Sequence, residues 1–582
     1  MRNINNICLM KLISVMGFVS VACGALPILE GVVSDLPTET PEPRTATGTI
    51  FIWYVSTSGD DLDDCQSLLT ACATVRTALA KASPGDQIQI AAGTYIESDS
   101  TIPSVGILIN KPVSIYGAGS EHTFLDGAGL RTVVMNIADG SISMHNLTIQ
   151  NGGLDGGGLG GGLNNSSETS EVWLRNVVVQ NNRSGETGGG IWNQGEMLLE
   201  NVMVRNNRTT ISRINGGRGG GIYNSALGDL TLQNTQVLNN DAEGMDSWEQ
   251  STSAGISNSH GQLMIRESII ADNQGTGIDT TGTTQVYRSL IANNEGSGLV
   301  LDSSGDAESN TVSLENVTIS GNRWYGVASY NFMEIAYSTI VQNGRGLVSH
   351  RLRYTTIANS IIAGNSDRDC AGARPTLAGN NIFSQDFCLG TTVPFHELSL
   401  DALADNGGPT QTHALLPGSP ALDFAVGEGC PLTDQRSSGF PRPLGDACDV
   451  GAYEGIIPGV MTSDEDPARD ELVVTNDTPC YTGPGIDWTF VNALEKGTVL
   501  ELIGLGNTGD QQWVVGAHPS IENITCWLDL TKVDPDIPPD EMRLISVPPR
   551  PQGTPTPTKE PREPDSPTPE PPACDPQLQQ CP

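Results

Sequence analysis

Lysine is in short supply: six of 582 residues, within 30 basic residues set against 67 acidic ones. The net charge of −37 excludes a nucleic-acid binder, because phosphate recognition needs clustered Lys and Arg. It also excludes docking on anionic lipid through a basic patch. Aromatic residues are scarce at 5%, and charged residues, at 17%, fall below the usual quarter. No apolar run reaches the ~20 residues that a bilayer span needs; residues 12–22 give a run of eleven. No Cys-x-x-Cys knuckle or Cys/His cluster at zinc spacing occurs, so no metal is assigned. Glycine is abundant at 67 residues, alongside 36 prolines. That balance fits a turn-rich β protein better than a helical one.

Between residues 140 and 370 the chain repeats itself. Nine segments align, beginning Met144-His145-Asn146-Leu147-Thr148-Ile149, with third residues at 146, 176, 201, 234, 267, 288, 316, 337 and 359. Apolar residues alternate inside each segment, as in a strand, and no helical period runs between segments. Six residues past each third position stand Gly152, then Asn182, Asn207, Asn240, Asn273, Asn294, Asn322, Asn343 and Asn365. Asn tolerates left-handed backbone geometry, and its amide both donates and accepts, so stacked copies form a ladder. A second register runs through Gly162, Gly190, Gly221, Gly255, Gly277, Gly298, Gly326 and Gly346, each followed by Leu, Ile or Val. There glycine is expected to supply the bend between strands. Rungs of 21–33 residues predict an all-β chain, a right-handed parallel β-helix solenoid. Propeller blades need about 40 residues, and collagen needs Gly at every third position.

The segments Tyr54-Val55-Ser56-Thr57-Ser58-Gly59-Asp60-Asp61, Pro84-Gly85-Asp86 and Ala92-Gly93-Thr94-Tyr95 resemble the opening of pectate-lyase-like β-helix proteins. The Gly-Gly-Ile-x-Asn turns at Gly189 and Gly220 are similar to those of polymorphic outer-membrane proteins. Asn406-Gly407-Gly408-Pro409-Thr410, Gly418-Ser419-Pro420, Thr433-Asp434-Gln435-Arg436 and Cys448-Asp449-Val450-Gly451-Ala452-Tyr453-Glu454 resemble the end of "choice-of-anchor Q" bacterial surface proteins. Residues 470–534 resemble a bacterial SH3-like (SH3b) domain through Cys480-Tyr481-Thr482-Gly483-Pro484-Gly485, Trp513-Val514-Val515 and Cys526-Trp527-Leu528. Several such domains bind cell-wall peptide or glycan.

These readings divide the chain into a signal peptide (1–23), a Pro/Thr-rich linker (24–49) and the β-helix with its terminal cap (50–455). A second linker (456–469), the SH3-like barrel (470–534) and a Pro-rich tail expected to be disordered (535–582) follow. Ser20-Val21-Ala22-Cys23-Gly24 resembles a bacterial lipobox. That resemblance implies lipidation of Cys23 and a membrane-anchored or secreted location, plain cleavage being the alternative. The chain would then touch the membrane only through this lipid. With Cys8 in the signal, ten cysteines remain as close pairs: Cys65/Cys72, Cys370/Cys388, Cys430/Cys448, Cys480/Cys526 and Cys574/Cys581. Such pairing in an exported chain reads as disulfides.

Catalytic candidates are weak. Asp241, Asp246, Asp272, Asp279, Asp302 and Asp306 are expected in rung turns or loops, as solvated carboxylates or, at most, a Ca²⁺ site. His260-Gly261 reads as a turn, Asp155–Gly160 as an enlarged turn, and Arg345, Arg351 and Arg353 as a solubilised strand edge. Asp434, Arg436, Arg442, Asp449 and Glu454 read as a salt-bridged cap over the last rung. In the SH3-like domain Tyr481 and Trp488 are candidate ligand contacts, whereas Trp513 and Trp527 fall at core positions. The expectation is an exported surface protein that binds cell-wall or extracellular polysaccharide, or a surface protein, without catalysis. The alternatives are a polysaccharide lyase or glycoside hydrolase with its site in a β-helix groove, and a structural spacer.

Overall fold

The computed structural model describes residues 50–455, apart from 99–101, 154–157, 211–217, 244–252, 303–310, 352–353, 428–429 and 438, and parts of 471–545. Cys8, Cys23, Cys574, Cys581, Asp155, Asp246, Asp306, Arg353 and Trp488 lie outside the described residues. The chain divides into two compact units, Met1–Ile456 and Ile457–Pro582.

The first unit winds through three parallel sheets. Sheet A has 13 strands, from Ile52–Val55 to Thr376–Ala378; sheet B has 13, from Gly93–Ile96 to Thr391–Thr392; sheet C has 11, from Val105–Ile109 to Arg368–Gly372. Successive rungs pair in register, so like side chains stack: Leu174, Leu199, Leu232 and Ile265 follow one another inside sheet A. One apolar core runs the length of the rod.

Each rung turns twice through left-handed backbone. The corner from sheet A to sheet B falls on the third residue of each aligned segment, with φ between +45° and +55° from Asn146 to Asn359. The corner from B to C falls on the residue before the ladder, as at Asn181, Asn206 and Asn239. The expected ladder is present, but its asparagines are not the left-handed residues. They are buried, and each accepts and donates along the rod. Asn240 Oδ1 accepts from Asn207 N and Asn207 Nδ2, both at 3.0 Å. Asn240 Nδ2 donates to Asn273 Oδ1 and Val204 O, again at 3.0 Å. The series runs from Asn182 to Asn365 and ends on Asp369 Oδ1. The glycine register also has a different cause. A Cβ on Gly221 would sit 3.0 Å from Asn240 Nδ2 and 2.8 Å from Gly255 O. The other register glycines meet their ladder amides in the same way, so what excludes a side chain is close approach, not a bend.

Both ends of the solenoid are closed. Helix Val75–Lys81 buries Val75, Ala78 and Leu79, and Thr74 caps its N-terminus. Glu97 accepts from the Val75 and Arg76 amides there; burial pushes its carboxyl up to about 6. The loop closed by Cys65–Cys72 covers the edge of the first strand through Tyr54 N to Cys65 O and Cys72 N to Tyr54 O. At the far end Phe383, Phe387 and the Cys370–Cys388 disulfide close the core.

The segment expected to cover the last rung lies elsewhere. Residues 393–455 run as a strap along the outward side of sheet B and its corner with sheet A. Thr318 Oγ1 donates to Gln435 Oε1 at 2.6 Å, Ala452 N to Thr339 Oγ1 at 3.0 Å, and Ser437 Oγ to Glu267 Oε1 at 2.7 Å. Leu403 of the strap packs on Ala271, Leu290 and Ala292. The physical reason is the outward face of these sheet B strands, which is too apolar to stand in water. The ionic residues were correctly grouped but bind the strap to itself. Arg436 donates to Asp434 Oδ2 from Nε at 2.9 Å and from NH2 at 2.6 Å. Its guanidinium lies between the rings of Phe440 and Tyr453, 4.0 and 3.8 Å away. Arg442 faces Glu454 at 3.5 Å. Burial, then the neighbouring Glu454, pushes the Asp449 carboxyl up to about 7. Cys430–Cys448 closes this segment on itself.

In the second unit the described strands run from Glu471–Val474 to Leu544–Ile545, mostly antiparallel, around Val474, Leu494, Leu500, Val514 and Leu528. Cys480–Cys526 joins two of them. Trp527 is buried as expected, and Trp513 is half-buried. Tyr481 ends its strand; its side chain, like Trp488, lies outside the described residues.

Candidate functional site

The outward face of sheet A presents a regular surface of stacked side chains. Because strands pair in register, the residue before each corner forms a column: Tyr116, His145, Arg175, Glu200, Gln233, Arg266 and Tyr287. Neighbours in the column interlock. Tyr116 and His145 stack at 4.6 Å, and His145 meets the edge of Trp173 at 5.3 Å. Burial, with Arg175 adding to it, holds the His145 imidazole down at about 4, so it is neutral at ordinary pH. Arg175 lies 5.7 Å over the Trp173 ring and 3.5 Å from Glu200, and Arg266 lies 5.7 Å over Tyr287.

At the corner, this face meets the strap. Glu200, Asn201, Gln233, Asn234 and Glu267 form one side of a cleft of about 380 Å³, and Gly408, Pro409, Arg436 and Ser437 form the other. The size is in the range of small-ligand clefts, roughly 300–1,000 Å³. Glu267 is fully engaged: Oε1 accepts from Arg288 Nε and Ser437 Oγ, and Oε2 from Gln233 Nε2. Glu200 is not, since Oε2 is covered and has no hydrogen-bond partner. Trp173 Nε1 and Arg266 Nε, on the same face, also lack one.

Carboxylates come together elsewhere too. Asp279 stands in the strand Thr276–Thr280 of sheet C, not in a turn, and faces outward. Its partner in the next strand is Val300, which puts Asp302, two residues on, on the same face. Burial, then Asp302, pushes the Asp279 carboxyl up to about 7, against the opposing pull of Arg218. Asp241 pairs with Arg208 at 3.1 Å, and Asp272 sits exposed at a left-handed corner. Among the described residues no three of His, Cys, Asp and Glu gather as a metal site would require. His260 is a left-handed turn residue, φ 66°, bonded to Thr281, and Arg345 pairs with Asp367 at 2.6 Å.

Sequence reasoning missed the cleft. Its signal lay in the second position of the nine aligned segments, which reads His, Arg, Glu, Gln, Arg, Tyr, Glu down the first seven rungs. The opposite wall comes from the strap, whose Ser437 lies 170 positions from the Glu267 it bonds.

Three long parallel sheets around a single axial core define a right-handed parallel β-helix. No family model and no curated protein sequence matches the chain. Among solved structures, the pectate lyase Pel9A matches 70% of this chain and 97% of its own at 13% identity, TM-score 0.39. A rhamnogalacturonan lyase matches 61% and 91% at 10% identity, TM-score 0.33. The A-module of an Azotobacter vinelandii mannuronan C-5 epimerase matches 53% and 74% at 16% identity, TM-score 0.32. At such identities no residue role passes from these proteins to this chain.

Proposed function

We propose that this is an exported protein, held at the cell surface by lipid on Cys23, whose β-helix binds an extended glycan along the outward face of sheet A without turning it over. One observation carries this reading. A continuous register-locked face offers rings, guanidinium groups and carboxylates at the ~4.8 Å strand spacing, ending in a polar cleft. Flat arrays of aromatic and hydrogen-bonding side chains suit a repeating polymer of hydroxyls. Disulfides at both ends of the rod support an oxidising, extracellular setting. No helix among the described residues is long and apolar enough to cross a membrane. The SH3-like reading of residues 470–534, with Tyr481 and Trp488 as contacts to wall or partner protein, belongs to the same proposal.

A panel of immobilised polysaccharides tests it, with retention and unsaturated-product absorbance read together. Retention that falls with Trp173→Ala is the expected result, and product formation overturns the non-catalytic reading. One observation favours the enzyme alternative. A carboxyl held near 7 beside a second carboxylate is how general acid and base are set apart, and Asp279 with Asp302 has that character. New reducing ends released without unsaturated-product absorbance, and lost with Asp279→Asn, would establish a hydrolase.

A further inference from the structure

We propose that the cleft between the sheet A corner and the strap takes a neutral, hydroxyl-rich sugar and rejects uronates, with Glu200 as the residue that sorts them. This rests on the glycan-binding reading above and adds the ligand's charge. Four side chains decide it. Glu267 already accepts from Arg288, Ser437 and Gln233, so it adds negative charge to the cleft with most of its acceptor capacity used. Arg436 is largely committed: Nε and NH2 are held by Asp434, NH2 also reaches Glu454 O, NH1 reaches Asn406 O at 3.5 Å, and both faces are stacked on rings. Arg175 already faces Glu200. Glu200 alone is incompletely used. Its Oε1 is 3.5 Å from Arg175, and its Oε2 meets neither a donor nor solvent.

A carboxylate torsion is soft, so a small turn of the Glu200 head brings the idle oxygen to a donor in the cleft. A sugar hydroxyl supplies that donor and still accepts from the corner amides, where Asn234 Nδ2 already bonds Asn201 Oδ1. A uronate carboxylate would instead face Glu200 and Glu267, whose neighbours Arg175, Arg288 and Arg436 are already paired with carboxylates. The negative balance of the whole chain acts in the same direction.

The full chain is titrated against a glycan array carrying neutral and uronate oligosaccharides, with cello-oligosaccharide and oligogalacturonate as solution probes. Neutral probes are expected to bind, and oligogalacturonate at least about tenfold more weakly. Glu200→Gln is expected to lose about tenfold for the neutral probe, a charged acceptor having become a neutral one. Glu200→Arg, checked for an unchanged melting temperature, is expected to narrow the gap between the two probes. Oligogalacturonate binding as tightly as the neutral probe overturns the inference while leaving the glycan-binding reading intact. Unchanged neutral binding by Glu200→Gln overturns the placement in the cleft. Retention of no glycan by the wild type overturns the underlying reading itself.

Discussion

Replacing one ladder asparagine isolates what the ladder contributes. In Asn240→Ala four side-chain hydrogen bonds vanish: two accepted from Asn207 and two donated to Asn273 and Val204. Asn207 N and Val204 O lose these partners inside a dry corner where Asn240 itself has no exposed surface. At about 1 kcal/mol net per bond, and more for groups left buried without a partner, the loss is about 4–6 kcal/mol. Asn239, the preceding residue, supplies the control. It carries the left-handed backbone, φ 54°, so Asn239→Ala should cost only the conformational strain, about 1–2 kcal/mol. Urea melts report the total. Hydrogen exchange locates it, because a solenoid transmits a defect to adjacent rungs and the protection of strands Met203–Arg205 and Ile269–Ala271 should fall first. If Asn239→Ala destabilises as much as Asn240→Ala, the ladder is not what holds this corner and the reasoning fails.

Gly221→Ala forces a Cβ against Gly255 O and Asn240 Nδ2 without backbone strain, and should cost about 1–3 kcal/mol in the same melts. Asp279 holds its proton up to about 7, against 3.8 for the free group. Its contribution to stability is therefore complete below about pH 4 and lost as pH rises through 7. Asp279→Asn should gain on the wild type between pH 5 and pH 8, by roughly 2–4 kcal/mol; a wild type that gains on the variant over that interval refutes the assignment. Arg436→Met leaves Asp434 buried without its cation, at a cost of about 3–5 kcal/mol. Limited proteolysis should then cut within 393–455 while the rungs before residue 260 stay protected.

The solenoid was readable because eight rungs repeat Asn, and eight repeat Gly, at positions where no other side chain meets both packing and hydrogen bonding. The first rungs carry no such register. They turn through Gly117 and Gly127 without a buried amide ladder, so strands such as Gln87–Ile90 and Ser114–Gly117 left no periodic trace. The strap's position could not be read, because its bonds join residues such as Thr318 and Gln435, 117 positions apart, and nothing local announces which face they cover. For the same reason Asp434 and Arg436 read locally as a bonded group, while the surface they cover is set by distant partners. The cleft combines both difficulties, since one wall lies in the repeat and the other in the strap.

The strap also bears on how such a rod can change length. Among the described residues before about 260, no hydrogen bond joins a rung corner to the strap, and the packing of Leu238 in the cluster that also takes in Leu403 is the main contact. Duplicating or losing one there by recombination would lengthen or shorten the rod and leave its other contacts intact. From Glu267 to Asn359 successive corners are bonded to fixed points on a single non-repeating segment, through Ser437, Thr410, Thr433, Asn359 Nδ2 to Val426 O, and Gly451 N to Asn359 O. Adding a turn there would shift every later corner off its partner. Length polymorphism should therefore be confined to the N-terminal half, with the last five turns inherited as a block.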